Sequence, residues 1–283
     1  MLAFVHIGKT GGITVASMLR SSFGAAHCDA TSMRPRPQGD PTGVRFMIPK
    51  YGPDDIAFLK TVMPGMRSIS GHHVALWSDV EKVYPDTKYF LFLRDPLKRG
   101  ASHYQFHVTH DDYTAKFGFK HFPWDKWVEW ETHHNHQLKM ISPNVDVDEA
   151  IKLLETKNVF VGLTEHFDES LVMMQKLFCP ELDIAYRRKN TAEDNTLAKS
   201  LLQDEKSREQ IREMYAKEFP LYEYVRNEIY PRYRQEYGPS LDQDVARFQS
   251  HGRQRVNNLN LVMNRLHRTF VLIPRLKKHR GAY

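Results

Sequence analysis

Cysteine is scarce in this chain: Cys28 and Cys179 are the only two among 283 residues. A disulfide-dense secreted scaffold is thereby excluded, although a single bridge is not. No run of about 18 apolar residues is present to span a bilayer. The apolar stretch Leu2–Ile7 is short and runs directly into a glycine loop, unlike a signal peptide. The expectation is a cytoplasmic protein; a chain trimmed of a Golgi-type anchor would look the same. Acid is missing from one region: from His251 onward there is no Asp or Glu, against eight Arg and Lys residues. Subtracting those eight charges from the net +6 leaves −2 on residues 1–250. Basic character therefore belongs to a tail. With no excess positive charge on the body and no nucleic-acid module, no nucleic-acid partner is expected.

What remains is ordinary globular material, 41% hydrophobic and 26% charged. The length suits one large domain over residues 1–240 with a basic amphipathic helical tail over 241–283. Leu2–Ile7 reads as a buried strand and Thr14–Ser22 as a helix with Val15, Met18 and Leu19 on one face. Met33–Pro53 is rich in proline and glycine and reads as a loop, after which Asp54 is placed to cap a helix through Val62. Arg67–Ser70 is a second strand. Lys88–Leu93, aromatic and aliphatic almost throughout, is the clearest strand, and Pro96 opens a helix to about His107. A strand over Asn158–Gly162 precedes a helix from about Glu165 to Phe178, and the chain from about Thr196 reads as helical. This alternation predicts an α/β protein with an open, parallel, doubly wound sheet. Ligands of such sheets bind at the carboxyl ends of strands, where the loops after Ile7, Ser70 and Leu93 lie.

Two of those loops carry anion chemistry. His6-Ile-Gly-Lys-Thr-Gly-Gly-Ile-Thr14 presents backbone amides, a lysine and two hydroxyls just before a helix N-terminus, where the dipole favours an anion. A glycine turn with a solvated lysine is the plainer reading. A nucleotide-triphosphatase loop fails, because its first glycine would fall on Ala3 and residues 4–7 read as strand. At the second loop, Arg94 ends a strand and Ser102 lies eight residues on, in the following helix. A guanidinium grips phosphate in a bidentate fashion and a hydroxyl adds a neutral donor. Asp95 is placed to cap the helix, with Lys98 and Arg99 as surface charges.

Together these segments resemble the sulfotransferases that use 3′-phosphoadenylyl sulfate (PAPS), particularly the heparan sulfate 2-O- and 6-O-sulfotransferases. The first loop resembles their 5′-phosphosulfate loop at His6, Lys9, Thr10, Gly11, Gly12 and Thr14, with Ile13 where a hydroxyl residue is common. Phe90–Tyr104 resembles their 3′-phosphate site, with Arg94 and Ser102 as its contacts. Val161–Leu171 resembles a strand-to-helix segment of the family, and Phe219–Tyr222 its later aromatic helix. Tyr186–Thr191 resembles a basic loop that closes over the nucleotide, which implicates Arg188, Lys189 and Thr191. The match covers most of residues 2–237. It implies a P-loop-like three-layer fold, a metal-free donor site for PAPS and its product PAP, and a carbohydrate or glycolipid hydroxyl as acceptor. It also points to Gly71-His72 as the position of the catalytic histidine, with the adjacent His73 as the alternative. Lys9 would supply charge at the leaving oxygen; Asn135 and Gln137 match a loosely shared N-x-Q element.

Other readings stand beside this one: sulfation of a small-molecule or lipid alcohol, an ATP-dependent kinase, or a non-catalytic nucleotide-binding protein. His103 and His107, with His133, His134 and His136 beside Glu129 and Glu131, evoke zinc. Tyr104 stands where a zinc protease helix needs glutamate, so no metal is expected. Trp124, Trp127 and Trp130 read as a core face. In the tail, Leu259, Val262, Met263, Leu266 and Phe270 recur at helical spacing. The expectation is that this stripe packs on the domain, with a peripheral membrane helix or polyanion-binding arm as the functional alternative.

Overall fold

All four residues of the first strand, Leu2–Val5, are buried because β1 (Leu2–Val5) lies at the centre of the sheet. In this computed structural model, residues 1–30, 50–109, 123–132, 134–187, 195–252 and 256–280 are described. β2 (His27–Asp29), β3 (Ser68–Gly71), β4 (Lys88–Leu93) and β5 (Val159–Leu163) complete a parallel sheet of order β2-β3-β1-β4-β5. In register, Phe4 sits opposite Ser70 on one side and Phe90 on the other. From β1 the chain passes to the edge strand β2, returns inward to β3 and then crosses β1 to β4 and β5, so the connections leaving the neighbouring strands β1 and β4 run in opposite directions, a reversal between those two strands. The carboxyl ends of β3, β1 and β4 face the crevice that such a reversal leaves open.

Helices cover the sheet. α1 (Gly12–Phe23), α2 (Pro53–Val62) and α3 (Pro96–Thr109) follow β1, β2 and β4 in the chain. α4 (Trp124–Glu131), α5 (His136–Ile141) and α6 (Val147–Thr156) precede β5, and α7 (Phe167–Leu177) follows it. Beyond these come α8 (Thr196–Gln203), α9 (Glu205–Met214), α10 (Glu218–Tyr224), α11 (Tyr230–Tyr237), α12 (Leu241–Arg247), α13 (Asn258–His267) and α14 (Ile273–Arg280). A π-helical segment, Arg268–Leu272, joins α13 to α14 without a break. The α/β class with a parallel, helix-flanked sheet and a helical C-terminal region is thus as expected. No helix among the described residues is long and apolar enough to cross a membrane. Cys28 and Cys179 are both buried and both free.

Several local expectations need correction. β2 was absent from the sequence reading; its residues, His-Cys-Asp, carry no alternation or apolar run to mark them. Gly52, not Asp54, occupies the N-cap of α2, where the Asp55 carboxylate accepts the Gly52 N–H at 2.9 Å. Asp95 does cap α3, accepting the Lys98 N–H at 2.9 Å. Arg99, read as a surface charge, is fully buried: its guanidinium lies over the Tyr215 ring and between Glu131 and Glu218 at 3.7 and 3.5 Å. Trp127 is core as expected, buried in a second cluster with Ala101, Tyr104, Ile211 and Tyr215.

The tail docks by the face opposite to the one expected. Asn260 Nδ2 donates to the Ser21 and Ser22 carbonyls, and Asn264 Nδ2 donates to those of Gly24 and His27. Leu272 and Leu276 complete the contact and belong to the main core. The physical reason lies at the end of α1, whose last carbonyls have no intrahelical partner and need donors. Asparagine amides meet that need, so the polar side of α13 turns inward. Leu259, Val262, Met263, Leu266 and Phe270 are left outside, between 46% and 73% exposed.

Candidate functional site

Between the end of β1 and the start of α1 the backbone turns through two left-handed residues, Lys9 at φ +70° and Gly11 at φ +82°. Gly11 is the N-cap of α1 and needs that conformation; a Cβ there would also meet the Phe167 ring at 2.9 Å. Lys9 is strained for a residue with a Cβ, a cost that persists where the surroundings impose it. Here the Lys9 carbonyl accepts from Arg94 Nη1 at 3.1 Å, and the Thr10 hydroxyl donates to the Ile7 carbonyl at 3.0 Å. Thr164 Oγ1 donates to the Leu93 carbonyl and reaches that of Thr10, pinning the two loops together. Gly12 lets the His6 ring lie on the first turn of α1, since a Cβ would stand 2.0 Å from that ring. The backbone N–H groups of Lys9 through Ile13 lie in the turn that leads into α1. These amides and the positive end of α1 make the loop a seat for an anion.

Lys9 is half-buried, with Nζ 4.4 Å from the centre of the Phe106 ring on α3. Burial, followed by the Arg94 charge, lowers its pKa to about 8. Ser102 precedes Phe106 by one helical turn, so the two share a face of α3. That face therefore turns toward the loop, and half-buried Ser102 belongs to it. Arg94 is itself half-buried, and burial lowers its pKa. Its backbone is clamped from behind, with Gln137 Oε1 accepting its N–H at 2.9 Å and Gln137 Nε2 donating to its carbonyl at 3.0 Å. Gln137 in turn is held by the buried Glu218 carboxylate. Gln137 is thus a positioning residue. Asn135 stands in the left-handed region at φ +37° with its side-chain oxygen buried and unpaired among the described residues.

Gly71, at φ +145°, ends β3 and throws His72 and His73 to opposite surroundings. The His72 ring stacks on His6 at 4.1 Å, and its Nδ1 lies 2.8 Å from the His6 carbonyl. A carbonyl only accepts, so Nδ1 carries the proton and Nε2 of the neutral ring is left with its lone pair. Desolvation beside the neighbouring loop lowers the His72 pKa to about 4, although the residue is exposed; the neutral form holds at pH 7. His6, pushed down to about 3 by burial and by His72, is neutral too. Lys50 Nζ donates to the His72 carbonyl at 2.6 Å. His73 turns away and stacks on Tyr51 at 5.3 Å.

Of the remaining candidates, Thr14 is buried in α1 and Ile13 is 45% exposed. The loop thus brings Lys9, Thr10, Gly11, Gly12, Ile13 and Thr14 beside Arg94 and His72. Arg188, Lys189 and Thr191 lie outside the described residues, as does His133.

Sequence reasoning missed the role of Glu131. This fully buried carboxylate is bonded by His103 Nδ1 and His136 Nε2, each at 3.1 Å from Oε1, and by the Tyr215 hydroxyl. Burial opposes its ionisation, but His136 and His103 hold its pKa well below the usual carboxylate range. His103, Glu131 and His136 have ligand atoms within 4.8 Å of one another, the spacing of a metal site. Arg99 beside Glu131 already supplies a cation, and the carboxylate oxygens are already hydrogen-bonded. Only the folding of α3, α4 and α5 against one another joins these residues; no local pattern pairs Glu131, rather than Glu129, with His103. No family model and no curated protein matches the chain.

Proposed function

We propose that the protein is an O-sulfotransferase on a P-loop-like fold, moving a sulfuryl group from PAPS to a hydroxyl of a carbohydrate or glycolipid. One observation carries this reading. The loop holding Lys9, the strand end holding Arg94 and the strand end holding His72 converge at the carboxyl ends of three adjacent parallel strands. A bisphosphorylated nucleotide needs two separate anion seats, and this crevice offers two. The amides of the Lys9–Ile13 turn at the start of α1, with the Lys9 ammonium, suit the phosphosulfate end. Arg94 and Ser102 suit the 3′-phosphate. The preference for a carbohydrate acceptor rests on the family resemblance alone.

When bound, the donor supplies the sulfuryl group and a phosphate leaving group. The chain's own residues do the rest. Lys9 places positive charge where the leaving oxygen gains negative charge. His72, held by the His6 carbonyl in the tautomer with a free Nε2, accepts the proton of the attacking hydroxyl. An imidazolium of pKa about 4 marks a weak base, but an anionic donor beside it favours the protonated ring and raises that value. Gln137 holds the Arg94 backbone while this occurs.

Calorimetry without added metal, comparing 3′,5′-adenosine bisphosphate with ATP, tests the reading. The bisphosphate is expected to bind at least about tenfold tighter, a difference of about 1.4 kcal/mol. Arg94→Ala is expected to remove most of that preference. Preference for ATP, or binding that requires magnesium, would overturn it in favour of a kinase.

A further inference from the structure

The outward face of the C-terminal helix has no function in the reading above. Leu259, Val262, Met263, Leu266 and Phe270 form one continuous stripe along α13 and the π-helical segment that follows, with exposures of 70, 53, 46, 47 and 73%. Solvent-facing residues of a helix are ordinarily polar, and contiguous apolar surface of this kind marks an interaction site. The opposite face is fully committed to the body through Asn260, Asn264, Leu272 and Leu276. The stripe therefore cannot be buried by a simple rotation of the helix without breaking those bonds.

Charge identifies what covers it. Arg265, Arg268, Lys277 and Lys278 are all exposed along the same helical stretch, while Arg275 donates to the Val62 carbonyl at 2.8 Å, and no acidic residue occurs from His251 to the end. Two copies meeting stripe to stripe would bring like charges together with no acid between them. An acidic protein would satisfy the charges but needs its own apolar ridge. A bilayer rich in anionic lipid supplies both requirements at once, apolar chains below a negative surface. We propose that the stripe is a membrane-surface anchor: α13 and α14 lie in the plane of an anionic bilayer, with Leu259, Val262, Met263, Leu266 and Phe270 inserted and the arginines and lysines at the headgroups. The helix rides on the C-terminal end of α1, the end away from the Lys9 loop, which leaves the crevice mouth clear of the anchor contact. This inference stands whether or not the crevice performs sulfuryl transfer.

Flotation of the full chain with phosphatidylcholine vesicles, with and without phosphatidylserine, tests it. The protein is expected to float with the anionic vesicles and not the neutral ones. Neutralising Arg265, Arg268, Lys277 or Lys278 to Gln is expected to lower the partition coefficient about fivefold per charge at low salt. The triple variant L259S/L266S/F270S is expected to lower it at least about tenfold. Because these side chains are exposed, the variants are expected to keep the unfolding transition of the parent, recorded alongside. Equal flotation on both vesicle types, or flotation unmoved by the triple variant, would overturn the proposal. So would a dimer by light scattering that the triple variant dissociates, with no vesicle binding by the parent.

Discussion

His72 and His73 are neighbours in sequence and opposites in surroundings. His72 lies on His6 with its Nδ1 proton directed at a carbonyl, while His73 faces Tyr51. His72→Ala is expected to leave bisphosphate affinity within about twofold and to lower kcat by roughly a hundredfold or more, the usual worth of a general base. His73→Ala is expected to retain most of the rate; the reverse result in steady-state assays would move the base by one residue. The pH profile adds a second readout. The acid limb of kcat/KM reports the free enzyme and is expected near pH 4, where the depressed pKa lies. The limb of kcat is expected at higher pH, because the bound anion raises that pKa. Coincident limbs at pH 6.5 or above in both parameters would show that a different group titrates.

At the level of elements, α3 decides the geometry of the crevice, since one contiguous arc of it carries Ser102, Phe106, Arg99 and His103. Gly100 on its inner side permits close approach of α9: a Cβ there would meet the Tyr215 ring at 2.7 Å and Ile211 at 2.9 Å. Both neighbours are fully buried and cannot yield without moving Tyr215 from Glu131. Gly100→Ala removes some chain entropy and favours helix, but the overpacking outweighs it. A net loss of about 1–3 kcal/mol is expected in urea unfolding, with reduced turnover as α3 shifts. A stabilised variant would show that α9 can give way freely. Much at this scale was legible in advance: β4 matches its expected bounds from Lys88 to Leu93, and α3 begins at Pro96 as expected. Both depend on local signals, an apolar run and a proline at a first turn. β2 was not legible, because a three-residue edge strand is specified by pairing with β3 and not by its own composition.

Across the whole molecule, burial has collected histidines that stay neutral. His6 and His103 are lowered to about 3 and 4, and His107 is lowered as well, each chiefly by burial. The unfolded chain binds protons at these sites below pH 6.5, and the folded chain does not until far lower pH. Stability is therefore full above about 6.5 and is lost as pH falls toward 4. Asp29 acts in the same direction: burial opposes ionisation, but His27 and Arg20 depress its pKa, so acid removes its contribution too. The thermal midpoint is expected to fall by roughly 10 °C or more between pH 7 and pH 4.5. A midpoint constant over that range would mean that these rings carry protons in the native state. The buried Glu131 carboxylate, held well below the usual carboxylate range, adds to the acid sensitivity, since protonating it takes a counter-charge from the buried Arg99 guanidinium.

The sequence by itself determined the alternating strands and helices, the glycine-lysine loop ahead of α1, the Asp95 cap and the helical tail. Each rests on contacts within a few residues, and local chemistry suffices for them. Tertiary structure alone decided that Arg99 is interior, that Glu131 gathers His103 and His136, and that Gln137 holds the Arg94 backbone. It also decided that His72 and His73 diverge and that the tail packs by its asparagines. These outcomes depend on which donors and acceptors meet across the fold. A buried carbonyl at the end of α1 has no sequence signature, yet its need for a donor outranked the apolar periodicity of α13 and turned the greasy side of that helix outward.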